Sequence, residues 1–195
     1  MGQTFPTKND NRQKSLTFYP TTYIDTESRY TDSTGIVVII QNSLPKGGPY
    51  TDPNGKSFAY RIFWTRVINE SDTPLEIIIN FPADPFAMLP SHDSYLKVFL
   101  PPDTMTLDKE TLFAYGATGL NSFLDTGLNK PTMLQRTINP KEACLFYIGA
   151  LFTQAYGVAR AGLVLNDQDL FYGIRGIDPH LDPALIPCGQ IAFKK

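Results

Sequence analysis

Hydrophobic positions recur at every second residue through most of this chain, and the densest such stretch runs from Phe58 to Phe81. In its first half Phe58, Tyr60, Ile62, Trp64 and Ile68 share one face, with Arg66 alone off the pattern. In its second half Leu75, Ile77, Ile79 and Phe81 lie opposite Glu76 and Asn80. Period-two alternation in β-branched and aromatic residues predicts strands. The polar turn Asn69-Glu-Ser-Asp-Thr-Pro74 between the halves predicts a hairpin that holds the single Trp and much of the core.

The same pattern predicts further strands before and after. Leu16–Ile24 reads as an edge strand because of Pro20, and Ile36–Ile40, apolar on both faces, as a buried one. Asn42–Gly55 reads as a loop ending in the turn Asp52-Pro-Asn-Gly55. Strands are also predicted over Tyr95–Leu100, Thr132–Ile138, Cys144–Phe152 and Gln190–Phe193. Gly162–Leu165 and Leu170–Ile174 form a hairpin around Asn166-Asp-Gln-Asp169. Leu107–Tyr115, with acids in its first turn and Gly116 after it, predicts a helix, and Leu120–Leu124 a further helical turn. Asp178–Pro187 reads as a Pro-rich loop. About nine or ten short strands and one short helical insertion make an all-β chain, folded as two antiparallel sheets face to face, immunoglobulin-like or jelly-roll-like.

Composition supports this reading. The 195 residues suffice for one domain without staples. Its 16 prolines and 14 glycines suit frequent turns. No linker divides the sequence, so residues 1–15 are a polar arm and 16–195 a single sandwich. A net charge of -2 gives no basic field for nucleic acid. No run of 18 apolar residues predicts a transmembrane helix, and the N-terminus carries no signal-peptide pattern. We read the chain as exported and mature, its native start near Gln3, with a cytoplasmic location as the alternative. Cys144 and Cys188 are compatible with a disulfide or with two buried thiols.

Two stretches carry a resemblance. Asn69-Glu-Ser-Asp-Thr-Pro-Leu-Glu-Ile-Ile-Ile and Thr137-Ile-Asn-Pro-Lys-Glu-Ala-Cys-Leu-Phe-Tyr-Ile resemble recurring pieces of immunoglobulin-like sandwiches. The chain as a whole resembles exported proteins of Bacteroidota. The resemblance implies a sandwich topology and no chemistry.

The chemistry in the sequence is sparse. Neither a nucleophile elbow nor a phosphate-binding loop nor a zinc-protease motif is present. His92-Asp93-Ser94 holds triad residue types, but neighbours on an extended chain point apart. His180 and Cys188 offer at most a dyad, and Asp84, Asp103, Asp108, Glu110 and Asp125 the acids of a glycan hydrolase. Asp167 and Asp169 could hold Ca²⁺, as could Asp32–Gly35, unless these are ordinary turns. No other cofactor is implied.

The binding candidates are of two kinds. The loop Phe81–Pro90 packs three prolines with Phe86, Met88 and Leu89; it is either a lid tucked on the core or an adhesive surface. Twenty-three Phe and Tyr residues and one Trp are many for one core, and Tyr50, Tyr115 and Tyr156 fall in loop or strand-edge contexts suited to stacking on a sugar or a partner. The expected function is a non-catalytic binding or assembly module with a protein or glycan partner, including a second copy of the chain. A carbohydrate-binding module and an acid-pair hydrolase are the alternatives.

Overall fold

A computed structural model describes residues 23–86, 94–180 and 182–193. The expected arm at 1–15, most of the expected strand at 16–24, and Met88, Leu89 and His92 lie outside the described residues.

Among the described residues eleven strands form two sheets. They are β1 (Ile24–Thr31), β2 (Val37–Ser43), β3 (Lys46–Thr51), β4 (Ser57–Asn69), β5 (Leu75–Phe81), β6 (Leu96–Phe99), β7 (Thr132–Ile138), β8 (Ala143–Phe152), β9 (Arg160–Asn166), β10 (Asp169–Arg175) and β11 (Ala184–Phe193). The first sheet runs β1-β2-β4-β8-β6, with β3 also on β4; the second runs β7-β5-β11-β10-β9. All pairings are antiparallel. The all-β, two-sheet reading therefore holds.

The expected hairpin over 58–81 does not form. β4 pairs with β2, β3 and β8, whereas β5 pairs with β11 and β7, so Asn69–Pro74 is a corner that carries the chain from one sheet to the other. The turn after β7 makes the return crossing into β8. Asn69 ties the two corners together: its side-chain amide donates to Thr73 O at 2.8 Å and Ile138 O at 3.0 Å, and its main-chain carbonyl accepts from Lys141 N at 2.8 Å. A buried asparagine thus satisfies main-chain groups that neither sheet can reach.

β4 and β8 are apolar on both faces because each separates two cores. Phe63, Val67, Phe146, Ile148 and Phe152 face the second sheet, where Leu75, Ile77, Ile79, Tyr172 and Ile174 meet them. Tyr60, Ile62, Trp64, Tyr147 and Leu151 face outward and are covered by Met105, Tyr115, Leu120 and Leu124 of the insertion. Trp64 is fully buried, but in this outer core rather than between the sheets.

The insertion departs from expectation. Leu107–Tyr115 is two short 3-10 turns, Leu107–Lys109 and Phe113–Gly116, and the α-helix α1 is Leu120–Thr126. Ala114, Tyr115 and Gly116 all have left-handed backbone, at φ 47°, 55° and 65°, which no helix accommodates. Tertiary bonds hold them there. The Tyr115 hydroxyl donates to Leu44 O at 2.6 Å, the Tyr147 hydroxyl donates to Tyr115 O at 2.6 Å, and Lys46 Nζ donates to Glu110 O and Leu112 O.

Two further boundaries shift. The expected loop 42–55 contains β3, and β11 begins at Ala184 inside the expected Pro-rich loop. Pro187 is tolerated because β5 pairs β11 only over Gly189–Phe193, and the register slips between Leu170 and Phe171 to leave Cys188 as a bulge.

Candidate binding site at the β7 edge

A sheet edge invites another strand unless something blocks it. The β9 edge is sealed by side chains: Asn42 accepts from Leu163 N at 2.8 Å and donates to Leu163 O at 3.1 Å, while Tyr30 Oη accepts from Leu165 N at 3.2 Å. At the β6 edge Phe86 N donates to Leu96 O at 2.8 Å. β3 carries Pro49 and lies under the insertion, and β1 carries Asp25, Glu27, Arg29 and a register break between Ile24 and Thr26.

β7 has no such protection. Among the described residues it pairs with β5 alone; it contains no proline and carries a single charge, Arg136. Next to it β8 is also incomplete. β4 pairs with every residue of β8, from Ala143 to Phe152, yet β6 pairs only with Gly149–Phe152. Among the described residues Ala143–Ile148 therefore have a strand neighbour on one side only.

Between these two edges lies a groove of about 430 Å³. Its walls are largely apolar: Leu100, Pro101, Phe123, Met133, Leu134 and Phe146. Met133 is 67% exposed, and Leu134 packs partly on the inter-sheet core. Of the charged groups on the wall, Asp103 is engaged. Burial alone would raise its pKa, but bonds from the Thr118 and Thr104 main-chain N–H groups, from the Thr118 hydroxyl and from Lys109 hold it below the usual range. Arg136, exposed, donates to Gln135 O at 2.9 Å.

The residues singled out from the sequence are dispersed. Tyr115 is wholly buried and cannot stack on a ligand. Tyr50 is half-buried, its ring tilted on Phe58 and its hydroxyl donating to Asp125 Oδ1 at 2.7 Å; burial and then Asp125 raise its pKa. Tyr156 is 55% exposed and donates to Asp182, a bond that heads the causes raising its pKa. It lines a cleft of about 340 Å³ with Tyr95, Gln154, Asp178 and His180. Phe86 packs against the inter-sheet core and bridges to Leu96, as a lid would.

Asp167 and Asp169 sit in the exposed β9–β10 turn, where Asp167 takes left-handed backbone. Asp32 Oδ1 accepts from Thr34 N, Thr34 Oγ1 and Ile36 N, and Asp52 Oδ1 from Asn54 N and Lys56 N; both are turn-forming bonds. Among the described residues no three His, Cys, Asp or Glu side chains gather where they could hold a metal ion. Cys144 and Cys188 are free thiols rather than a disulfide.

Sequence reasoning missed Met133, Leu134 and Arg136, and with them the exposed pair Leu112 and Phe113. The signal for the first three is positional: a strand read as regular gives no hint that its outer neighbour is absent. Among the described residues no helix is long and apolar enough to cross a membrane. The chain matches no protein-family model, no curated protein and no solved structure.

Proposed function

We propose that this protein is a non-catalytic binding module that takes an extended segment of a partner polypeptide as an added strand at the β7 edge. The supporting observation is the incomplete edge itself: among the described residues β7 has a strand neighbour on one side only, Ala143–Ile148 of β8 likewise, and an apolar groove lies between them. Main-chain hydrogen bonds along a bare edge supply affinity without regard to sequence, and pockets for alternate side chains supply selectivity.

The test is amide hydrogen exchange on the isolated protein and with an extended peptide added. Outward amides of Met133–Arg136 exchange faster than those of the doubly paired β5, and the peptide slows them. Strong protection in the isolated protein would mean the edge is already filled, and the reading would fail.

A second reading rests on Tyr156. Its exposed ring beside Gln154, Asp178 and His180 combines an apolar face with planar polar groups, the pairing that sugars require. Thermal shift with neutral oligosaccharides tests it: a shift abolished by Tyr156→Ala supports it, and no shift with any sugar removes it.

A further inference from the structure

Resting on the strand-addition reading, we infer that the partner segment carries an acidic residue followed two positions later by an apolar one. Arg136 and Leu134 both line the groove from β7, and residues two apart on a strand point to the same face. A strand added to β7 sets its own residues directly opposite them on that face.

Leu134 borders an apolar pocket with Leu100, Pro101, Phe123 and Phe146, so the residue opposite it is apolar. Arg136 is exposed, and among the described residues it forms no ion pair; its guanidinium donates to the neighbouring Gln135 O. A carboxylate set opposite it would accept two parallel N–H bonds, the geometry that guanidinium favours. All pairings in both sheets are antiparallel. In an antiparallel partner the residue opposite Arg136 precedes the one opposite Leu134, which gives acidic-any-apolar in chain order.

The next residue on that face meets Thr132, whose Oγ1 already accepts from Leu100 N at 3.0 Å. The chain closes over the groove there, so this position takes a small side chain. The occupant is thus an extended acidic-apolar segment of another protein, and a second copy of this chain is the competing outcome.

Three dye-labelled peptides test this by fluorescence anisotropy on the full chain. The first holds the core Thr-Glu-Thr-Val-Thr-Ser, the second replaces Glu by Lys, and the third reverses the order to Val-Thr-Glu. We expect the first to bind at least tenfold tighter than either of the others. Arg136→Glu, an exposed substitution that leaves the melting temperature unchanged, should invert the preference in favour of the Lys peptide.

Equal binding of all three, indifferent to Arg136→Glu, overturns the acidic recognition while leaving strand addition standing. No binding by any peptide, together with unprotected β7 amides in every mixture, overturns both. A dimer in sedimentation velocity that Arg136→Glu dissolves would assign the edge to a second copy and overturn the heterologous partner.

Discussion

At the scale of single residues, this fold leans on a few buried polar groups whose bonds cannot be replaced by water. Asn42 is the clearest case. Its amide group bonds Leu163 N and O across the sandwich, accepts from Thr65 Oγ1 at 2.9 Å and donates to Thr26 Oγ1 at 3.1 Å. It also leaves no room for a methyl at Gly162, whose added Cβ would come within 2.7 Å of Asn42 Nδ2. Asn42→Ala strands the Leu163 donor and acceptor in a buried site, at a cost of about 3 kcal/mol. A urea titration measures this, and a loss below about 1 kcal/mol would mean that the β9 edge is not sealed by this side chain. Tyr172 is the opposite case. It is fully buried among Phe63 and Phe81, and among the described residues its hydroxyl has no hydrogen-bond partner. Tyr172→Phe removes an unsatisfied group without leaving a large void, so stability should rise by about 1 kcal/mol. A fall in the urea midpoint would mean that the hydroxyl is bonded after all.

At the scale of elements, one cation ties the insertion to the first sheet beside the Tyr115 and Tyr147 hydroxyl bonds. Lys46 Nζ donates to two carbonyls of the 107–113 loop and lies 4.3 Å and 4.5 Å from the centres of the Tyr23 and Tyr115 rings. Lys46→Met keeps the stem and removes the charge, leaving the Glu110 and Leu112 carbonyls without that donor. The expected result is faster proteolytic cleavage in the loop carrying exposed Leu112 and Phe113, and a stability loss of about 2 kcal/mol. Cleavage at the wild-type rate would place the restraint elsewhere. Leu107–Tyr115 has helical composition, but its backbone is set by Leu44, Lys46 and Tyr147, distant residues that no local pattern reveals. The strands were legible because their alternation is local; their partners were not. A six-residue polar turn serves a hairpin or a sheet-crossing corner equally well, so β4 and β5 were seen as strands and wrongly joined. One hint was available: Phe63 and Val67 make the second face of β4 apolar too, as a strand between two cores requires. The groove left even less trace. Met133 and Arg136 look like the solvent-facing residues of any strand, and only the topology reveals that no described strand lies beyond them.

At the scale of the whole molecule, the two cores fix how the protein answers to alkali. Burial pushes the Tyr115 and Tyr147 phenols up to about 12 and the Cys188 thiol up to about 12, and it carries Tyr172 well above its ordinary value. Unfolding returns these groups to about 10 for a phenol and about 9 for a thiol. A group whose pKa is higher in the folded state stabilises the fold fully below its unfolded value, and that contribution disappears as pH rises through the folded value. The loss therefore begins near pH 9 with Cys188, steepens above pH 10 as the tyrosines join, and is still in progress at pH 12. Two lysines act in the other direction. Burial lowers the pKa of Lys97, which donates to Pro82 O and Ala83 O, and that of Lys46, so deprotonating them favours the fold as pH approaches 10.5. Asp84 and Glu110 oppose those shifts, and the upward-shifted phenols and thiols, with Tyr172 and Cys188 deep in the inter-sheet core, outweigh two partly compensated amines. Urea midpoints measured from pH 8 to pH 12 should thus fall, slowly at first and then steeply above pH 10. Cys188→Ala separates the contributions: it costs stability at pH 8 through the lost side chain, but it flattens the decline between pH 9 and pH 10. A decline of unchanged shape in that variant would show that the thiol titrates at its ordinary value and that the inter-sheet core admits solvent at Cys188.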